Sequence, residues 1–97
     1  MATYVTLVHF TDQGMRNVKQ TTERAKVLTA AAARLGIKMT NIYWTMGAFD
    51  VVLISEAPDE ESMAALALSA GSLGNIRTQT MRAYSANEID KILVKLP

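Results

Sequence analysis

Tyr43-Trp44-Thr45-Met46-Gly47-Ala48-Phe49-Asp50-Val51-Val52-Leu53-Ile54 reads as two strands joined through a single glycine. The apolar, β-branched run after the turn is strand chemistry, and Tyr43 and Trp44 must point to opposite sides of the strand before it. Gly47 suits a turn that needs positive φ. Asp50 sets a carboxylate at the foot of an otherwise apolar strand. An acid beside such a turn either accepts hydrogen bonds from the turn amides or serves a site.

Working outward, Thr3 to Phe10 reads as a first strand, with Val5 and Leu7 on one face and Tyr4 and Val8 on the other. Thr11-Asp12-Gln13-Gly14 breaks it and can cap the next segment. Val18, Ala25, Leu28, Ala32 and Leu35 then recur at helical spacing, and Gly36 ends that helix. Ile37 to Met46 and Phe49 to Glu56 are the hairpin strands. Pro58-Asp59-Glu60-Glu61 opens a second helix, its acids suited to the positive end of the dipole, and Gly71 is expected to stop it. Asn75 to Ala83 forms a fourth strand. Ser85-Ala86-Asn87-Glu88 starts a short last helix striped by Ile89, Ile92, Leu93 and Leu96.

The order β-α-β-β-α-β specifies an α+β fold, the ferredoxin-like split-βαβ sandwich, with antiparallel sheet order 4-1-3-2 and a short C-terminal helix. Residues 1–97 make one domain. The apolar strands one and three suit the sheet centre. Strands two and four, which carry Lys38, Asn41, Arg77, Gln79 and Arg82, suit its edges. Both helices lie on one side, which leaves the other sheet face bare. Val8, Tyr4 and either Val52 and Ile54 or Val51 and Leu53 are expected there. An apolar face without cover implies a partner, and a second copy is the economical one.

Composition narrows the function. No apolar run exceeds Met63 to Leu68, too short for a bilayer span, and the N-terminus has no signal pattern. No membrane role is expected, and a cytoplasmic location is the default. Without cysteine there is neither a disulfide framework nor thiol chemistry. The net charge of +1 conceals an asymmetry: residues 16–38 carry six cations against Glu23, and residues 50–61 carry five acids and no base. The cations are spread around their helix without interleaved aromatics, so nucleic acid is not the expected partner. Complementary patches of this kind can steer subunits together.

The chain also resembles the GYD-domain proteins, small bacterial and archaeal proteins named for a Gly-x-Tyr-Asp type motif at the second hairpin. The likeness rests on Tyr4-Val5-Thr6-Leu7, Thr11-Asp12-Gln13-Gly14, the hairpin from Tyr43 to Asp50, Glu56-Ala57-Pro58-Asp59 and Gly71-Ser72-Leu73-Gly74-Asn75-Ile76-Arg77-Thr78. The motif tyrosine is Phe49 here, so any chemistry of that phenol is lost. The resemblance implies a ferredoxin-like fold related to dimeric α/β barrels and names no reaction. A more distant similarity is to the effector-binding domains of leucine-responsive transcription regulators, which bind amino acids between subunits. That likeness is one of fold, and fold does not fix function.

Four sets of residues are candidates for chemistry. Asp50 could hold a cation or a ligand amine, or act as a base, although bonding the turn is the commoner role. His9, the only imidazole, could shuttle protons with it, although a single histidine at a strand end is more often a boundary residue. Gly71, Gly74 and Arg77 could frame an anion, with helix stop and strand start as the plainer reading. Tyr43, Trp44, Gly47, Phe49 and Asp50 make up the hairpin's ligand-facing set, with core or interface anchoring the commoner use of such aromatics. No metal site is expected from one histidine and no cysteine, and no cofactor fingerprint is present.

The reading that fits these residues is a homo-oligomeric module that binds a small organic or anionic ligand or plays an accessory role. The alternatives are a purely structural oligomer and a cofactor-free enzyme of dimeric α/β-barrel type, an isomerase or monooxygenase, using His9 and Asp50.

Overall fold

A computed structural model describes residues 1–97. Its elements are β1 (Ala2–Phe10), α1 (Asp12–Arg16), α2 (Thr21–Arg34), β2 (Lys38–Trp44), β3 (Val51–Ala57), α3 (Glu60–Ser72), β4 (Ile76–Ala83) and α4 (Ala86–Leu93). The sheet runs β2-β3-β1-β4 with every neighbouring pair antiparallel, the 4-1-3-2 order read from its other edge. None of the helices is long and apolar enough to cross a membrane.

Local chemistry accounts for the boundaries. The Thr11 side chain accepts from the Gly14 amide and caps α1, a short helix that begins within the stretch read as a break and a cap. A 3-10 turn at Val18–Gln20 then leads into α2. The Asp59 carboxylate caps α3 by accepting from the Ser62 amide at 2.7 Å. A reciprocal capping box between Ser85 and Glu88 starts α4. Gly71 does not stop α3: the helix runs on to Ser72, and Gly74, at φ +84°, makes the reversal into β4. A glycine within a helix is tolerated, whereas positive φ is what excludes other residues.

The register assigns the two sheet faces and overturns one expectation. Tyr4, Thr6 and Val8 are buried beneath the helices, as are Val51, Leu53 and Ser55. The bare face therefore carries Val5, Leu7 and His9 of β1, opposite Val52 and Ile54 of β3 and Met81, Gln79 and Arg77 of β4. Tyr4 and Val8 are not exposed as expected, because the helices settle on the opposite face of the pleat. Of the two alternatives for β3, Val52 and Ile54 are the half-exposed pair. A bulge between Met39 and Asn41 lets Met39 and Ile42 both face the helices. It leaves Tyr43 opposite Val52 on the bare side and Trp44 on the helix side.

The core is small and divided. One cluster, Tyr4, Ala32, Ile37, Ala57, Met63 and Leu66, lies where α2 and α3 converge. A second, Val8, Val51 and Leu53, lies towards the end of β1. Only 12 of 97 residues are buried, so much apolar surface remains for other contacts.

Candidate functional site

The loop between β2 and β3 is looser than a tight turn. It spans residues 45–50, with Gly47 at φ +117°. The loop is closed by the Thr45 amide donating to the Asp50 carbonyl and the Thr45 hydroxyl to the Phe49 carbonyl. Asp50 does not bond the turn amides. Its Oδ2 accepts from the Phe10 amide at 2.8 Å, and its own amide donates to the Val8 carbonyl. The carboxylate thus extends the β1–β3 ladder one step beyond the regular pairing. His9 lies at the same sheet end, its ring 4.5 Å from that of Phe49. The fold brings His9, Phe49 and Asp50 together there, but the cavity between α2 and α3 is lined by none of them. No three His, Asp or Glu side chains converge in the molecule.

The glycine segment before β4 has a structural job. Gln13 Nε2 donates to the Leu73 carbonyl and to Asn75 Oδ1, and the Thr11 hydroxyl donates to the Gly74 carbonyl. The Thr11 amide donates to the Asn75 carbonyl at 3.0 Å. A Cβ placed on Gly14 would lie 2.0 Å from that same carbonyl oxygen. Only glycine lets α1 sit this close. The amides of Leu73 and Gly74 donate back into α3, so they do not converge outward on an anion. Arg77 is exposed and stands opposite His9 in the strand register on the bare face, away from this segment's carbonyl contacts.

The principal cavity lies on the helix side, where α2 and α3 diverge over the second core cluster. It measures about 240 Å³, and 14 of its 18 lining residues are hydrophobic. Its floor is sheet, including Val8 and Leu53; its walls are Leu28 on α2 and Leu66 on α3, and Trp44 stands at the β2 edge. Small residues leave the gap open: Ala25 and Ala31 on α2 face Ser69 and Ala70 on α3. The Trp44 indole donates to Thr21 Oγ1 at 3.0 Å, tying the aromatic wall to the start of α2.

Arg24 is the only charged residue lining this cleft. It is half-buried and makes no salt bridge. Its guanidinium donates to the Asn17 carbonyl at 2.8 Å and to the Gly14 carbonyl at 3.4 Å, which hold it at the rim. Arg24 is one of the six cations that the sequence spreads over residues 16–38. Its spacing to Thr21, Leu28 and Ala31 puts it on the helix's inward stripe, a signal that could have been found. Of the eight residues read as ligand-facing, Trp44 alone lines the cleft.

At the far end of the sheet, Arg82 lies over the Tyr84 ring at 4.4 Å and pairs with Glu88 at 3.0 Å. The Ser85 amide, with Arg82 as the second cause, holds the Glu88 carboxyl below its ordinary range. The Ser62 amide chiefly does the same for Asp59. Beyond Glu88, Ile89, Ile92 and Leu93 stay partly exposed, and α4 makes only slight contact with the other elements.

A family model for the GYD domain matches residues 4–93. A protein of Thermus thermophilus described as "Glutamine synthetase and cystathionine beta-lyase binding protein" is 30% identical over 90 residues. The alignment covers 92% of this chain and 95% of that protein. Among solved structures, a crystal structure of a protein from Thermus thermophilus superposes with a TM-score of 0.57 at 24% identity, covering 89% of this chain and 96% of that one. An ACT domain protein from Streptococcus pneumoniae reaches 0.48 at 17% identity, over 86% and 90% of the two chains.

Proposed function

The chain belongs to the GYD-domain family, and from that membership we propose an oligomeric accessory module that assembles through the bare face of its sheet and carries a small organic or anionic ligand. The observation that carries the assembly is the uncovered row Val5, Leu7, Val52 and Ile54, half-exposed at the centre of the sheet and flanked by exposed Tyr43 and Met81. An apolar surface of this kind at the middle strands is costly in water and favours burial against a partner. A second copy offers the same row, and a two-fold axis would set the two rows against each other. The apolar stripe of α4 supplies further surface of the same character.

The relative described as binding two enzymes supports an accessory role, with protein partners that are themselves metabolic enzymes. Two of the residues proposed from sequence take part in these two roles. Tyr43 belongs to the assembly face and Trp44 to the ligand. Native mass spectrometry tests the assembly: an oligomer from the wild-type chain that is lost on Leu7→Glu supports it. A wild-type monomer at micromolar concentration overturns it.

A further inference from the structure

We propose that the cleft between α2 and α3 binds a small monocarboxylate with an apolar body, its carboxylate on the Arg24 guanidinium and its body against Leu28, Trp44 and Leu66. This deepens the ligand half of the function proposed above.

Shape and charge select that class. Protein cores close to crystal-like density, so an apolar space of about 240 Å³ between two helices is not ordinary packing. Ligand sites are concave and mostly apolar, with a few polar groups that fix orientation. The volume lies just below the roughly 300–1,000 Å³ of sites for drug-sized molecules, which points to a medium-chain or single-ring acid. The apolar walls disfavour sugars and nucleotides, whose hydroxyls would be left unpaired.

Among the polar groups of the cleft, one carries a charge. Thr21, Ser69 and Asn75 offer only neutral donors, and Thr21 Oγ1 is tied to the Trp44 indole and Asn75 Oδ1 to Gln13. Arg24 is different. A guanidinium carries five N–H donors, and backbone carbonyls of Gly14 and Asn17 engage only two of its nitrogens. It is pre-oriented, faces no carboxylate and is charged at any physiological pH, which suits a carboxylate ligand. No acidic residue lines the cleft, so an ammonium group would find no counter-charge. A free amino acid is therefore a poorer ligand than the corresponding simple acid.

Trp44 is the only tryptophan, so its fluorescence reports on the cleft directly. The probes are octanoate, 1-octanol and leucine, each kept below micelle-forming concentration. Saturable binding of octanoate at least tenfold tighter than 1-octanol or leucine is expected. Arg24→Gln should abolish the preference over octanol, and Ala31→Leu, which fills the gap, should remove binding of both. Circular dichroism of each variant confirms that it is folded. Absence of saturable octanoate binding, an unchanged affinity in Arg24→Gln, or unchanged binding in Ala31→Leu would overturn the proposal. Octanoate binding by a chain that native mass spectrometry finds monomeric would leave the ligand site standing without the assembly. An oligomer that ignores octanoate would do the reverse.

Discussion

Gly14 and Gly71 carry the same side chain and opposite constraints. A methyl group at Gly14 meets the Asn75 carbonyl oxygen at 2.0 Å, and backbone on both sides limits relaxation. Gly14→Ala is expected to lower stability by about 1–3 kcal/mol, the usual scale of overpacking. Gly71 sits inside α3 with nothing within 4 Å of an added Cβ, so Gly71→Ala should raise stability by roughly 0.5–1 kcal/mol. Urea titrations of the two variants check both signs. Asp50 makes a third test at this scale. Removing its carboxylate orphans the Phe10 amide, so Asp50→Ala should cost about 1–3 kcal/mol. Asp50→Asn, which keeps an acceptor, should recover most of that. If Asp50→Ala unfolds at the wild-type urea midpoint, its contact with β1 contributes nothing.

Among the elements, α4 depends most on a few polar contacts. Ser85 and Glu88 cap each other, Glu88 pairs with Arg82, and little other packing holds the helix. The Glu88 carboxyl titrates below its ordinary range in the folded chain. Its contribution is therefore complete above the unfolded carboxylate range and is lost as pH falls through the lowered folded value. Hydrogen-exchange protection at residues 86–93, corrected for the slower intrinsic exchange in acid, should fall on acidification before that of the sheet amides. Glu88→Gln should show fast exchange there already at neutral pH, with a flatter acid response. A uniform loss of protection across sheet and α4 would count against this local anchor. The second long helix is held otherwise: Leu66 reaches the core beside Met63, and Leu66→Ala should cost about 2–5 kcal/mol by thermal or urea unfolding.

For the whole molecule, the sheet separates two surfaces of different character. One face takes α2 and α3 and encloses the cleft; the other has no cover from within the chain. The radius of gyration, 14.6 Å, exceeds the roughly 12.5 Å of a compact chain this long. The longest axis is 50 Å and the shortest 19 Å, an open shape that leaves surface available for assembly. Neighbouring residues of β1 make the contrast testable. Leu7→Glu should yield a folded chain of smaller mass in size-exclusion chromatography with light scattering. Val8→Glu, at a side chain only 2% exposed, should lose the folded state instead, because an unpaired carboxylate would enter the core. Two folded variants, or two unfolded ones, would contradict this division of the sheet.

The element order and strand order were legible in local chemistry. Period-two and helical patterns, Thr11, Asp59 and Ser85 as caps, and apolar central strands are properties of short segments, and they survive folding unchanged. Which face of the sheet the helices cover was not legible, because β1 and β3 are apolar on both sides and alternation alone cannot choose between them. That choice moved Tyr4 and Val8 inward and set Leu7 on the bare face. Gly14, Arg24 and Asp50 owe their roles to residues far along the chain: Asn75, the α3 wall and Phe10. Sequence therefore determined the elements and their order in the sheet. Tertiary packing alone decided the covered face, the cleft and its single cation, because each depends on contacts between segments that no local pattern encodes.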